Sequence, residues 1–249
     1  MSLRRQPPVA RAPRYGLARI LSKRGLCSRS EAEQLIRAGR VRVDGRCVND
    51  PEFPADLQRA RIEIDAQQVA RAAPQYLMLN KPRGLVTTTQ DEHGRDTVYR
   101  CFDGADLGWI APVGRLDKAS EGLLLFTNDP QWAARITSPE SALCKTYHVQ
   151  VTCIPTANML QAMQAGVTAE GELLRAKSVR LLRAGEKYAW LEIVLDEGRN
   201  RQIRRLLAAL EIGVLRLVRV AIGPLVLGEL PKGQWRALTA AEAAALSGA

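Results

Sequence analysis

The sequence has little of what metal sites, disulfide-bonded folds and membrane spans require. Its 249 residues contain five cysteines and two histidines, and no two cysteines stand in a C-x-x-C pair. Such spacing suggests no metal-ligand set, and the odd cysteine count favours free thiols in a reducing compartment. No apolar stretch approaches the length of a membrane span, and no apolar segment follows the basic N-terminus as in a secretory signal. We therefore expect no metal, no membrane and a cytoplasmic location.

Acidic residues are also scarce at the start of the chain. The formal net charge is +10, and residues 1–46 carry twelve Lys and Arg against three Asp and Glu. Nine of the ten net positive charges therefore lie in this first segment, as a patch and not as a uniform bias. A patch of this kind favours a polyanionic partner, above all a nucleic acid.

Turn and helix signals divide the chain into four parts. Residues 1–13 predict a flexible basic tail, because prolines and arginines leave little to pack. In residues 14–65, apolar residues at helical spacing and an Asp44-Gly45 turn predict two helices and a hairpin. Residues 66–74 then predict a linker, and residues 75–249 a second, larger domain.

The larger domain has more strand signals than helix signals and no regular βαβ spacing. We therefore expect an α+β fold around a mixed or antiparallel sheet. The predicted strands are 76–82, 123–127, 147–151, 190–195 and 215–220, and the predicted helices are 130–137, 157–165 and 201–210.

Segment 21–45, LSKRGLCSRSEAEQLIRAGRVRVDG, resembles the S4-type RNA-binding domain. The positive charge lies on both predicted helices and on the hairpin at once, which favours RNA contact over a solvated basic face. The residues expected to contact RNA here are Lys23, Arg24, Arg29, Arg37, Arg40 and Arg42.

The second domain resembles the pseudouridine synthases, specifically the branch that modifies ribosomal RNA and has an N-terminal S4 domain. Four segments support this resemblance, in the same order as in the family. They are Asn80-Lys81-Pro82-Arg83-Gly84, Gly114-Arg115-Leu116-Asp117, Lys145-Thr146-Tyr147 and Glu197-Gly198-Arg199-Asn200-Arg201-Gln202-Ile203-Arg204-Arg205.

The resemblance implies roles for three residues of these segments. Asp117 would be the nucleophile, Tyr147 would pack against the target uracil, and Arg204 would pair with the aspartate. The chemistry agrees, since a carboxylate can act covalently or as a base without a cofactor. Arginine stays charged and binds carboxylates bidentately, and a tyrosine ring offers a stacking face for a base.

Four further basic residues are candidates for RNA contact: Arg115, Lys81, Arg199 and Arg201. Arg115 could form a surface salt bridge or insert into the RNA where the target base leaves the stack. The arginines at the start of the helix 201–210 could be ordinary solvated residues. Because the helix dipole disfavours cations there, we expect phosphate or carboxylate partners instead.

Two functions follow from the sequence. The first is an enzyme that isomerises a specific uridine of ribosomal RNA, with a slight preference for large-subunit RNA. The alternative is a non-catalytic S4-type RNA-binding or ribosome-assembly factor, which would have no need of Asp117 beside Arg115. We expect ribosomal RNA or a pre-ribosomal particle as the partner, no small-molecule cofactor, and a monomer.

Overall fold

A computed structural model describes residues 14–88 and 94–248, so the predicted tail at residues 1–13 lies outside the described residues. The contacts divide the chain into two compact units. The first unit extends to Pro74 and includes Gly108–Ile110 and Asn128–Pro130; the remainder forms the second. In the described part, none of the helices combines the length and the apolar character needed to cross a bilayer.

The first unit contains two short helices and two small sheets. The elements are β1 (Arg14–Gly16), α1 (Leu17–Lys23), α2 (Arg29–Arg37), β2 (Val41–Val43), β3 (Arg46–Cys47), β4 (Pro54–Asp56), β5 (Ile62–Ile64) and β6 (Gln67–Gln68). Strands β3, β2, β5 and β6 form one antiparallel sheet in that order, and β1 pairs with β4.

Local sequence signals explain these elements. The Ser28 side chain accepts from the Glu31 backbone N–H while the Glu31 carboxylate accepts from the Ser28 N–H, which is a complete capping box at the start of α2. Asp44 and Gly45 both have positive φ, as the tight β2–β3 turn requires. Because β6 pairs with β5, the small sheet extends past the predicted boundary at residue 65 into the expected linker.

Arg24 is a structural residue of this unit, which corrects the expectation that it contacts RNA. It is buried, and its guanidinium donates to the carbonyl oxygens of Leu57 at 3.0 Å and Ala60 at 2.7 Å. These bonds tie the end of α1 to the segment between β4 and β5. The guanidinium is therefore used inside the unit.

The second unit is built on a mixed nine-stranded sheet, as the sequence predicted. The strands of this unit are β7 (Tyr76–Lys81), β8 (Ala111–Val113), β9 (Glu121–Thr127), β10 (Lys145–Val151), β11 (Val167–Ala169), β12 (Glu172–Leu174), β13 (Ser178–Ala184), β14 (Ala189–Leu195), β15 (Val214–Ile222), β16 (Leu225–Val226) and β17 (Trp235–Ala237). Its helices are α3 (Pro130–Thr137), α4 (Ala157–Ala165), α5 (Gln202–Ala208) and α6 (Ala240–Ser247). The main path of the large sheet runs β13-β14-β10-β15-β9-β7-β17, with β16 on β15 and β8 on β9, and β11 and β12 form a separate pair.

The predicted strands and helices of this unit are all present. Helices α3 and α4 have the predicted bounds, whereas α5 is shorter than the predicted 201–210. Arg201 has a left-handed backbone with φ of 49°, so it lies before the first helical residue and cannot continue the helix.

Strand β9 lies at the centre of the sheet. It is antiparallel to β7 and β8 and parallel to β15, and all seven of its residues are buried. One apolar core surrounds β10, β14 and α5, and another surrounds β7, β9, α3 and α6. The loop that precedes β9 is therefore attached to a buried strand, which fixes the position of its C-terminal end.

Candidate active site

Asp117 lies on the loop between β8 and β9, and the Lys81 side chain is hydrogen-bonded to the backbone of this loop. The Lys81 side chain is completely buried at the end of β7. Its Nζ donates to the carbonyl oxygens of Pro82 and Asp117, both at 3.2 Å, and of Ser120 at 2.9 Å. Lys81 therefore fixes the loop backbone at the acidic residue and three residues after it.

This arrangement corrects the expectation that Lys81 contacts RNA, because its ammonium group is already used inside the protein. Burial lowers the pKa of Lys81 from 10.5 to about 8, although the nearby Asp117 carboxylate raises it. The motif supplies the lysine at the right position, but only the structure shows that it acts on the loop.

The other carbonyl oxygens of the loop are also bonded. The contacts are Thr87 Oγ1 to Leu116 O at 2.7 Å, Gly84 N to Lys118 O at 2.8 Å and Arg204 Nη2 to Ala119 O at 3.3 Å. Five consecutive carbonyl groups, from residue 116 to residue 120, thus accept a hydrogen bond. A carboxylate on such a loop is held in place before any ligand arrives.

Gly122 shows why the next segment must contain glycine. Its φ is 100°, and a Cβ at this position would lie 2.2 Å from the carbonyl oxygen of Arg219. Only glycine allows β9 and β15 to approach so closely in the parallel pairing that begins here. The glycine therefore fixes how Arg219 sits relative to the Asp117 loop.

Asp117 lines a cleft of about 550 Å³ within the second unit. Its side chain is 40% exposed, so a ligand can reach the carboxylate. The charged and aromatic residues that line the cleft are Arg115, Asp117, Lys145, Tyr147, Asp196, Glu197, Arg199, Arg201, Arg204 and Arg219. Its lining carries six Lys and Arg residues against three Asp and Glu residues, so the cleft is electropositive.

Tyr147 forms part of the wall of the cleft. It lies on β10, half-buried, in register with Ile193 on β14 and Arg219 on β15. It also packs against the core that α5 covers. The resemblance to the family predicted a ring at this position, and the structure places that ring in the cleft with Asp117.

The ion partner of Asp117 in the structure is Arg201. Its Nη1 lies 3.5 Å from Asp117 Oδ2, whereas Arg204 bonds to the Ala119 carbonyl oxygen. This corrects the expected pairing of Arg204 with the carboxylate. Burial lowers the pKa of Arg204, as does the Arg201 charge, and Asp117 raises it, so Arg204 still interacts with Asp117 electrostatically.

The other arginines around α5 confirm that cations there have carboxylate partners. Arg199 Nε lies 2.9 Å from Glu197. Arg205 lies 2.8 Å from both Glu170 and Glu172, at the β11–β12 hairpin. Arg199 lines the cleft and is partly exposed, so it remains accessible to a ligand.

Arg115 is exposed at the edge of the cleft, two residues before Asp117. It forms no ion pair with any residue in the described part of the chain, so the surface salt bridge considered from the sequence is not formed there. Its guanidinium is available for a ligand.

In the first unit, the expected RNA-contacting residues other than Arg24 are at least partly exposed. Arg37 and Arg42 have no ion pair among the described residues. Three others have neighbours: Arg40 bonds to Asp65 with Nε at 2.8 Å, Arg29 lies 3.9 Å from Glu52, and Lys23 lies 3.9 Å from the Tyr15 ring centroid.

Sequence reasoning missed three residues of the site. Thr87 holds the Leu116 carbonyl, Arg219 lines the floor beside Tyr147, and Lys145 lies near Arg219. Lys145 belongs to one of the four motif segments, but the sequence predicted no role for it. Burial, together with the Arg219 charge, lowers its pKa. An arginine within the apolar strand of residues 215–220 was the available signal for Arg219.

No group of three potential metal-ligating residues is arranged around a common point in residues 14–88 and 94–248. A fixed carboxylate, an aromatic wall and an excess of cations are groups that catalysis on a nucleic acid base would use.

Comparisons with known proteins identify the family. Residues 75–209 match the RNA pseudouridylate synthase family, and residues 16–58 match the S4 domain. The chain belongs to the RNA pseudouridine synthase family and has an N-terminal S4 domain, as the resemblance predicted. This result favours the enzyme over the alternative of a non-catalytic factor.

Individual relatives agree over nearly the whole chain. An uncharacterized RNA pseudouridine synthase of Rickettsia typhi is 35% identical, with 90% of this chain and 92% of the relative covered. The ribosomal large subunit pseudouridine synthase B of Bacillus subtilis is 34% identical, with 90% and 91% covered. A crystal structure of a pseudouridylate synthase matches with a TM-score of 0.66 and 32% identity, over 93% of this chain and 99% of that one.

Proposed function

We propose that this protein converts a specific uridine of ribosomal RNA to pseudouridine, with Asp117 as the nucleophile. The observation that supports this best is the loop of five bonded carbonyl groups, which holds one accessible carboxylate in an electropositive cleft. The name of the Bacillus subtilis relative supports ribosomal RNA, and specifically that of the large subunit.

The reaction needs the groups that the cleft contains. The N-glycosidic bond breaks, the uracil turns, and C5 bonds to C1′; N1 then holds a proton and C5 has lost one. The Asp117 carboxylate could add to C6 of the base, or it could attack C1′ of the ribose as the bond to uracil N1 breaks. Either route uses the same fixed oxygen atoms. Neither route requires a cofactor.

The neighbours of Asp117 take distinct roles in this proposal. Tyr147 offers its ring to the flipped uracil, which can turn against a flat aromatic surface. Arg201 forms an ion pair with the carboxylate, and Arg204 positions the loop through Ala119. Exposed Arg115 enters the space that the flipped base leaves, and Arg199 contacts the backbone of the RNA.

The first unit would hold the RNA through exposed cations of α2 and β2, chiefly Arg29, Arg37 and Arg42. Lys23 and Arg40 are also at least partly exposed, although Arg40 is paired with Asp65. We propose that a monomer in the cytoplasm acts on ribosomal RNA or on a pre-ribosomal particle.

The test is a map of pseudouridines in cellular RNA with and without the gene, followed by complementation. Wild-type protein should restore one ribosomal site, and Asp117→Asn protein should not, although it should still bind the RNA. The control is Asp103→Asn, a substitution outside the cleft lining. Substantial pseudouridine formation by the Asp117→Asn protein would overturn the role of Asp117.

A further inference from the structure

Arg219 is a buried cation with donor groups that the protein leaves unused. Only 6% of the residue is exposed, and that part lies in the wall of the cleft. Its Nε donates to the Leu123 carbonyl oxygen at 2.7 Å. The other N–H groups make no hydrogen bond to the described residues, and no described carboxylate lies within ion-pair distance.

Such an arrangement is costly for the folded protein. Arginine does not lose its proton, so burial cannot be relieved by neutralisation. A buried charge without a carboxylate partner is destabilising, and an unused buried donor adds to that cost. Burial and then the Arg219 charge lower the pKa of the half-buried Lys145, while Cys144 and the Asp196 carboxylate raise it. Two cations thus face one carboxylate here, so the local excess charge is positive. The missing partner is therefore an acceptor, and preferably an anion.

The position of Arg219 shows what that acceptor is. Arg219 and Tyr147 are direct partners in the β10–β15 pairing, so their side chains lie on the same face of the sheet. Such partners have Cβ atoms about 5 Å apart. A base that stacks on Tyr147 would bring its edge over Arg219. Phosphates would instead meet the exposed arginines at the rim, such as Arg115.

We propose that Arg219 binds a ring carbonyl oxygen of the target uracil and stabilises the negative charge that the base acquires during the reaction. This inference rests on the proposed function of the cleft. When the N1–C1′ bond breaks, its electron pair stays with the base and is shared with O2 and O4. A fixed guanidinium at that edge stabilises the transition state more than the neutral substrate.

Arg219 would also contribute to the discrimination of uracil from cytosine. Cytosine presents an amino group where uracil presents O4, and an amino group cannot accept from a guanidinium. If the bonded atom is O4, Arg219 rejects cytidine at the site by leaving its own donor unpaired. If the bonded atom is O2, the contact serves catalysis alone, since the two bases share that oxygen.

The experiment combines a protein substitution with an atomic substitution in the RNA. Wild-type, Arg219→Met and Arg183→Met proteins are given RNA with uridine, 2-thiouridine or 4-thiouridine at the modified position, in single-turnover reactions. Arg183 is a matched control, because it is an exposed arginine over Trp190 and does not line the cleft. Circular dichroism checks the fold of each variant.

Wild-type and Arg183→Met proteins should convert one of the two thio-substituted RNAs about tenfold more slowly than the uridine RNA, because sulfur is a poor acceptor. The slower analogue identifies O2 or O4. Arg219→Met should convert the uridine RNA about ten- to a hundredfold more slowly than wild type does, and it should no longer distinguish oxygen from sulfur at that position. If the role of Arg219 were purely structural, Arg219→Met would convert all three RNAs more slowly, and the rate difference between the uridine and thio-substituted RNAs would remain.

Equal thio effects in Arg219→Met and wild type would overturn the proposal. So would a wild-type enzyme that converts both thio-substituted RNAs at the uridine rate, a result that needs no folded variant and leaves the proposed function intact. A wild-type enzyme without activity on the uridine RNA would overturn the proposed function and this inference with it.

Discussion

Replacement of Lys81 by methionine should damage catalysis far more than folding. Methionine fills a similar volume but removes the three bonds from Nζ to the carbonyl oxygens of Pro82, Asp117 and Ser120. Of these, Asp117 O keeps a second donor, the Ser120 backbone N–H at 2.9 Å. Two carbonyl groups are therefore left without a donor, at a cost of about 1–3 kcal/mol each.

A compensating term reduces that cost. A buried ammonium whose pKa falls from 10.5 to about 8 destabilises the fold by about 3 kcal/mol at neutral pH, and methionine removes this penalty. The two terms oppose each other, so we expect a net loss of no more than about 3 kcal/mol. The catalytic loss is not compensated, because Asp117 loses its anchor. If Asp117 acts as proposed, its displacement should cost about a hundredfold in rate.

The pH dependence provides a second measurement. In the folded protein Lys81 loses its proton at about pH 8, below the unfolded value of 10.5. Between these values the unfolded chain binds more protons, so the contribution of Lys81 to stability rises with pH. The rate should do the opposite and fall above about pH 8, because neutral lysine has one donor fewer for the loop.

The assay is single-turnover conversion of the mapped RNA between pH 6.5 and 9.5, together with urea unfolding. Lys118→Met is the matched control, since Lys118 is an exposed lysine of the same loop. It should keep the wild-type rate and the alkaline decline, whereas Lys81→Met should be slow and show no such decline. A Lys81→Met protein with wild-type rate and pH profile would refute the anchoring role.

Four further outcomes follow from the structure. Tyr147→Phe should bind RNA as wild type does while Tyr147→Ala binds more weakly, since only alanine removes the stacking face; equal affinities in a filter-binding assay would contradict stacking. Arg204→Lys should slow the chemical step about tenfold or more in single-turnover reactions, because lysine loses the planar geometry that reaches the Ala119 carbonyl; a normal rate would exclude this role. Arg24→Met should lower the urea midpoint by an amount that corresponds to about 2–4 kcal/mol, since two backbone carbonyl groups lose their donor; an unchanged midpoint would show that these bonds contribute nothing. Arg37→Gln with Arg42→Gln should make the dependence of RNA affinity on salt shallower by about 1.4 in the logarithmic slope, and an unchanged slope would mean that neither residue meets phosphate.

Much of the fold was predictable because its signals are local. The capping box at Ser28, the turn at Asp44 and the apolar run before Thr127 each depend on a few neighbouring residues, and each is present in the structure. The order of strands in the sheet was not predictable. It depends on contacts between distant segments, such as the parallel pairing of β15 with β9, which no local pattern encodes.

The candidate site was also only partly predictable from the sequence. Asp117 and Tyr147 were found because their motifs resemble those of a family, and the structure places both in one cleft. The roles of basic residues were harder to predict, because a side chain's charge does not indicate whether it faces solvent. Arg24 and Lys81 were expected at the RNA, yet both donate to backbone carbonyl groups inside the protein.

Two buried cations near the Asp117 loop differ in how many of their donors are bonded inside the protein. Lys81 uses its ammonium group fully, with three carbonyl acceptors, and so belongs to the framework that holds the Asp117 loop. Arg219 uses one donor of its guanidinium and leaves the others without a described partner in the wall of the same cleft. A cation that serves only the fold would satisfy its donors within the fold. In the proposal above, the unused donors of Arg219 in the wall of the cleft are left for the substrate, whereas Lys81 spends all of its donors on the loop.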